Sequence, residues 1–193
     1  LAEFIYTIGN MQLDPEILEA VFTNEGDDLA ALSESTAVML IFLRHFGCTF
    51  CREALGDIAN QRAALEIHGV KIVFVHMAED EIADTYLAQY KIADIAHISD
   101  PDMSLYEYFG LFKGKFWQLY GLKVWARGIK AGLIDGHGMV SLDNKLGSYN
   151  QMPGVFILRN SRVYQRFLHR SAADRPDYKQ LALDYVKAYR ANS

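Results

Sequence analysis

The sequence predicts an α/β fold in which one central mixed β-sheet is flanked by helices, and three observations predict it. Two strongly apolar runs, Ala37–Leu43 and Val70–Val75, are separated by a stretch of helical spacing. Strands separated in this way pair in parallel, because a parallel connection needs a crossover of a dozen or more residues. A third apolar run, Val155–Leu158, is followed at once by Asn160-Ser161 and another strand-like run, and so short a turn forces an antiparallel pair. The chain has 193 residues, 51% of them hydrophobic, which is enough for one sizeable core and a single domain over 1–193.

The elements follow in order. Residues 1–35 read as an N-terminal extension, irregular over Asn10–Ser33 apart from a short helix over Pro15–Phe22, with Asp14 as its cap and Pro15 in the first helical position. Thr36–His45 reads as a strand buried on both faces, since it is continuously apolar and does not alternate. Gly47 breaks it. A helix is expected from about Cys48 to His68, where Leu55, Ile58, Ala59, Arg62 and Leu65 recur at helical spacing before Gly69. Val70–Met77 reads as a second buried strand, Glu79–Tyr90 as a helix and Ile95–Ile98 as a short strand. Ser99-Asp100-Pro101 reads as a turn and cap before a short helix at Met103–Phe109. Val155–Leu158 and Val163–His169 form the hairpin, and Asp177–Arg190 is an amphipathic final helix. Residues 110–151 stand outside this series and read as a helical insertion.

The net charge of −5 and pI near 5.7 argue against a nucleic-acid partner, because binding phosphates needs a positive surface. The longest purely apolar run, Ala37–Leu43, is far short of the roughly 20 residues of a membrane-spanning helix. The chain starts at Leu and not Met, so the expected cytoplasmic location leaves room for an exported mature chain. Charge is uneven. The stretch between Glu107 and Asp135 has no acidic residue but holds Lys113, Lys115, Lys123, Arg127 and Lys130, interleaved with Phe116, Trp117, Tyr120 and Trp125. On a helix, Lys123, Arg127 and Lys130 share one face and Leu122, Trp125 and Ile129 another. The simpler reading is an amphipathic helix packed over the fold; the sharper one is a docking face for an anionic, lipid-like or protein partner.

The chemistry is expected at Cys48-Thr49-Phe50-Cys51, the two cysteines of the chain. Cys48 falls where a buried strand turns into a helix. A helix start carries unpaired N–H groups and about half a positive charge, both of which favour thiolate over thiol. Cysteines so placed have pKa values of roughly 3.5–7.5 instead of about 8.5. Cys51 lies one turn on, on the same face, where it can resolve a mixed disulfide or sulfenic acid formed on Cys48. Cys48 is expected to be the exposed attacker and Cys51 the more buried resolver. Arg44, His45 and Arg52 are expected to add positive charge. Two inert core cysteines or half of a zinc site are the alternatives. Zinc needs two more ligands, and the histidines (His45, His68, His76, His97, His137 and His169) include no close pair in sequence. No metal and no bound cofactor are therefore expected.

The run Phe42-Leu43-Arg44-His45-Phe46-Gly47-Cys48-Thr49-Phe50-Cys51-Arg52-Glu53 resembles the peroxiredoxin-like branch of the alkyl hydroperoxide reductase/thiol-specific antioxidant family. Ile98-Ser99-Asp100-Pro101-Asp102, Pro153–Leu158 and His169–Asp174 are similar to later segments of that family. The resemblance implies a thioredoxin-like fold and an antioxidant thiol oxidoreductase. It implies a peroxide or disulfide as substrate, a thioredoxin-type protein as external reductant, and leaves a homodimer open. The branch includes enzymes that reduce lipid-type endoperoxides. The fold assignment places Pro153 beside the cysteines and predicts a cis Met152–Pro153 bond. The sequence also departs from the family. Peroxiredoxins carry a proline and a Thr or Ser seven and three residues before the peroxidatic cysteine. Ile41 and His45 hold those places before Cys48, and Arg44 and Cys48 hold them before Cys51. The arginine of the third strand is replaced by Pro153, and thioredoxin's buried Asp by Phe42. His45 and Glu53 are the candidates to accept the Cys51 proton. Two readings result: a thiol oxidoreductase, or a non-catalytic thioredoxin-fold module that binds a partner or senses redox state.

Overall fold

A computed structural model describes residues 6–115 and 143–192. Six strands form one mixed sheet in the order β1-β6-β5-β2-β3-β4. They are β1 (Tyr6–Gln12), β2 (Ala37–Phe42), β3 (Val70–His76), β4 (His97–Ser99), β5 (Gly154–Arg159) and β6 (Arg162–Leu168). β2 runs parallel to β3 and antiparallel to β5, and β4 extends the parallel side. Among the described residues the helices are α1 (Pro15–Glu19), α2 (Leu29–Ser35), α3 (Thr49–Ile67), α4 (Asp80–Gln89), α5 (Ser104–Tyr108) and α6 (Tyr178–Asn192).

The sheet separates two apolar layers. Met39 and Ile41 of β2 face α3, α4 and α6, meeting Leu55, Ile58, Leu87 and Leu181. Val38, Leu40 and Phe42 face α1, α2 and α5, meeting Leu18, Leu29, Leu105 and Tyr106. A strand covered on both faces has no place for a polar residue, which is why Ala37–Phe42 reads as an unbroken apolar run. Asn160 and Ser161 both take positive φ (51° and 53°), the requirement of a two-residue type I′ hairpin turn. Asp100 caps α5, its carboxylate accepting from the N–H groups of Ser104, Leu105 and Tyr106 at 2.9–3.2 Å.

Two expectations change. The N-terminal extension is less irregular than the sequence suggests: Tyr6–Gln12 adds an edge strand on β6, and Leu29–Ser35 is a helix capped by Asp28. The Met152–Pro153 bond is trans, not cis. Pro153 stands just before β5, where its missing N–H removes no ladder bond, so the isomer that X–Pro bonds favour serves here. The two ends of the 110–151 region meet in a neck. The Gly114 N–H donates to the Asn150 carbonyl at 2.7 Å, and Gln151 Nε2 to the Leu111 carbonyl at 2.6 Å. The expected helix there, with Lys123, Arg127, Lys130 and Trp125, lies outside the described residues, as do Asp135 and His137.

Candidate active site

β2 ends at Phe42, and the next residues turn toward α3. The Leu43 N–H still bonds the Val75 carbonyl, at 2.8 Å, and the buried Tyr106 hydroxyl donates to the Leu43 carbonyl. The Cys48 N–H donates to the His45 carbonyl at 2.8 Å, closing a tight turn that sets Cys48 at the N-cap of α3. The extended backbone of Cys48 (φ −80°, ψ 127°) aims its sulfur at the first helical turn. Cys51 is one turn further, and the two cysteines lie 4.1 Å apart with no disulfide between them.

Arg44 serves both sulfurs. Its guanidinium Nη2 donates to Cys48 Sγ at 3.1 Å, and its backbone N–H to Cys51 Sγ at 3.3 Å. The Cys48 thiol is held well below its ordinary range. The hydrogen bond from the Cys51 side chain is the largest cause; burial opposes it, and the Arg44 charge and the N–H groups of Cys51 and Phe50 add to it. Cys51 moves the other way, first because it is the donor in that bond and then because it is buried. Both directions favour the anion on Cys48 and the proton on Cys51; the N–H groups at the helix start contribute, behind the Cys51 side chain and the Arg44 charge.

Two expectations about this loop fail. Cys48 is not exposed: it is 2% accessible and Cys51 is 4%. Residues distant in sequence close over the pair, with Phe50 packing against Met152, Ala172 and Ala173. His45 brings no positive charge. Its Nδ1 accepts from the Gly47 N–H at 3.0 Å, so Nε2 carries the proton and donates to the Asp143 carbonyl at 2.8 Å. Burial lowers its pKa further. His45 is a clamp: its ring stacks on Tyr149 at 4.0 Å, and the Phe46 N–H bonds the Leu146 carbonyl at 3.0 Å. Arg52 reaches back to the Gly47 carbonyl at 3.4 Å. Thr49, the first residue of α3, is buried and Phe50 half-buried.

A cavity of about 30 Å³ adjoins both cysteines, with Arg44, Phe50, Glu53, Pro153 and Tyr178 among its walls. This is room for one or two water-sized molecules. Pro153 is thus brought to the site as expected, and so is Glu53. Asp57 and Arg175 were missed. Arg175 spans Glu53 (3.4 Å) and Asp57 (Nε to Oδ2, 2.7 Å), closing the cavity on the α3 side. Two acids one turn apart on the cysteine helix were a usable signal for Asp57. Arg175, 118 residues away, had none.

No protein-family profile matches the sequence. A stretch of 79 residues, 41% of the chain, is 27% identical to Thioredoxin-like protein AAED1, chloroplastic, of Arabidopsis thaliana. A stretch of 59 residues, 31% of the chain, is 36% identical to prostamide/prostaglandin F synthase of Bos taurus. The chain spans about a third of the length of these curated relatives, 32% and 29% respectively. Among solved structures, a cysteine-to-serine mutant of peroxiredoxin 6 from Arenicola marina superposes with a TM-score of 0.61 at 12% identity, over 96% of this chain and 74% of that one. The bacterioferritin comigratory protein of Xanthomonas campestris superposes with 0.60 at 18% identity, over 94% and 98%. The chain has the peroxiredoxin-like form of the thioredoxin fold. This peroxiredoxin-like fold is one in which Pro153 and the cysteine pair share a cavity. Arg44, two residues beyond β2, places a guanidinium 3.1 Å from the Cys48 sulfur.

Proposed function

We propose that the chain is a thiol-dependent oxidoreductase that reduces small peroxides by cycling Cys48 and Cys51 between dithiol and disulfide. The observation that carries this reading is the Arg44 guanidinium 3.1 Å from the Cys48 sulfur, which sits at a helix start with Cys51 one turn away. The Cys48 thiolate attacks the terminal oxygen of ROOH. The O–O bond breaks, Cys48 becomes a sulfenic acid, and the alkoxide leaves and takes a proton from water. The Cys51 sulfur then displaces the sulfenic oxygen, which departs as water with the Cys51 proton. To do so the two sulfurs must close to about 2.05 Å. A thioredoxin-type dithiol returns the pair to the reduced state by exchange. The narrow cavity favours hydrogen peroxide and short alkyl hydroperoxides over a protein disulfide or a lipid as the oxidant.

The test is turnover with peroxide, thioredoxin, its reductase and NADPH. Cys48→Ser is expected to fall to background. Cys51→Ser is expected to keep the first peroxide reaction, trap a sulfenic acid, and lose recycling. Equal rates in wild type and both variants would remove the proposal.

A further inference from the structure

The ends of β3 and β4 hold a second polar cluster with no part in the redox reading. His76 is the last residue of β3 and His97 the first of β4; His97 lies opposite Phe74 and His76 opposite Ser99, so the two histidines are diagonal neighbours on one face of the sheet. Both are buried, at 1% and 0% accessibility. His76 Nε2 lies 2.9 Å from His97 Nδ1, and Asp80 Oδ1 from the first turn of α4 lies 3.6 Å from that same His97 nitrogen. His76 Nε2 and the Asp80 carboxylate thus both face His97 Nδ1, the first at hydrogen-bond distance and the second just beyond it. The three groups offer ligand atoms that all lie within 4.8 Å of one another.

We propose that His76, His97 and Asp80 bind a borderline divalent transition-metal ion of the Zn²⁺ class, with water in the remaining position. Two imidazoles and one carboxylate are a ligand set that such ions accept, with the fourth place open. In a tetrahedral site with bonds of about 2.0–2.1 Å, neighbouring ligand atoms stand roughly 3.3 Å apart, between the separations seen here. The outer partners fit as well. His76 Nδ1 donates to the Ala78 carbonyl at 2.9 Å, turning the Nε2 lone pair inward. His97 Nε2 faces Asp84 Oδ1 at 3.1 Å, the carboxylate–histidine arrangement that orients metal-bound rings. The Asp80 side chain is half exposed and gives an ion a way in. Phe46 packs on His76 at 5.4 Å and on Tyr86 at 5.0 Å, forming an apolar wall on the side of the cysteine loop.

The experiment uses the full chain carrying Cys48→Ser and Cys51→Ser, so that the thiols cannot supply the ligands and the outcome is independent of the redox proposal. Calorimetric titration with Zn²⁺ at neutral pH is expected to show one ion per chain. Asp80→Ala, on an accessible helix turn, and Asp84→Asn, which loosens the His97 ring, are each expected to weaken binding roughly tenfold or more. His97→Gln is expected to remove it. X-ray absorption at the zinc edge should show nitrogen and oxygen neighbours with imidazole scattering. The proposal is overturned by no saturable binding at micromolar Zn²⁺, by unchanged affinity in Asp80→Ala, or by a coordination shell without imidazole.

Discussion

The ends of the adjacent strands β2 and β3 each bury a polar cluster, and they solve the problem in opposite ways. At the end of β2 the buried group is a sulfur anion, and its countercharge, Arg44, is buried with it at 6% accessibility. At the end of β3 the buried groups are imidazoles, and the carboxylates that meet them, Asp80 and Asp84, reach in from solvent. The pKa of His76 is pushed down to about 3, mainly by burial and then by the neighbouring His97, so this ring stays neutral over the working pH range. A buried charge needs a buried partner, whereas a neutral buried ring needs only a hydrogen bond. The cysteine loop should therefore respond strongly to the loss of one residue and the histidine cluster gently.

The largest effect is expected at Arg44. Arg44→Leu leaves the thiolate without its countercharge, so Cys48 takes up a proton. The stopped-flow rate with hydrogen peroxide at pH 7 should fall on the order of 10²-fold, comparable to losing a preorganised donor to a reacting anion. The sign of the pH effect follows from the lowered pKa of Cys48. In the wild type, alkylation by iodoacetamide should stay fast as pH falls below about 8.5, because the thiolate persists there. In Arg44→Leu the inflection should move to higher pH. An unmoved inflection would mean that the Cys51 thiol and the N–H groups of the helix start hold the anion without Arg44.

His45→Ala sharpens the same contrast from within the loop. It removes the stack on Tyr149 and the bond to the Asp143 carbonyl, and should cost about 1–3 kcal/mol in urea unfolding. Since His45 is neutral, the alkylation inflection should stay where it is; an upward shift would restore the cationic role that the sequence suggested. Gly147→Ala acts on the other side of the clamp. Gly147 has φ +122°, and an added Cβ would meet the Arg44 carbonyl at 2.7 Å. A loss of about 1–3 kcal/mol is expected by thermal denaturation. The smallest effect is expected at Arg175, whose side chain is 52% exposed. Its partners Glu53 and Asp57 are buried, so solvent screens the pair only from the Arg175 side; Arg175→Ala is expected to cost about 1 kcal/mol in urea unfolding, and a loss above about 3 kcal/mol would mean that the two carboxylates stay charged without it.

The sequence disclosed what local patterns encode. The continuous runs of β2 and β3, the Asn160-Ser161 turn and the cysteine spacing each carry their reason within a few residues. β1 and α2 escaped notice because one is an edge strand that depends on β6 for its pairing, and the other is two turns long and defined mainly by its Asp28 cap. The pocket at Cys48 draws walls from Pro153 and Ala172, far along the chain, and the histidine pair joins residues 21 apart through strand register. Pairs of that kind are set by topology, and no spacing along the chain announces them.

Seclusion of both sulfurs also shapes the kinetics of recovery. In the proposed cycle both sulfurs are buried, at 2% and 4% accessibility, so a protein dithiol reaches a Cys48–Cys51 disulfide only when the first turn of α3 loosens or Phe50 swings aside. Such a gate makes recycling follow an internal opening rate, and turnover should level off as reductant is raised, well before collision with the reductant becomes limiting.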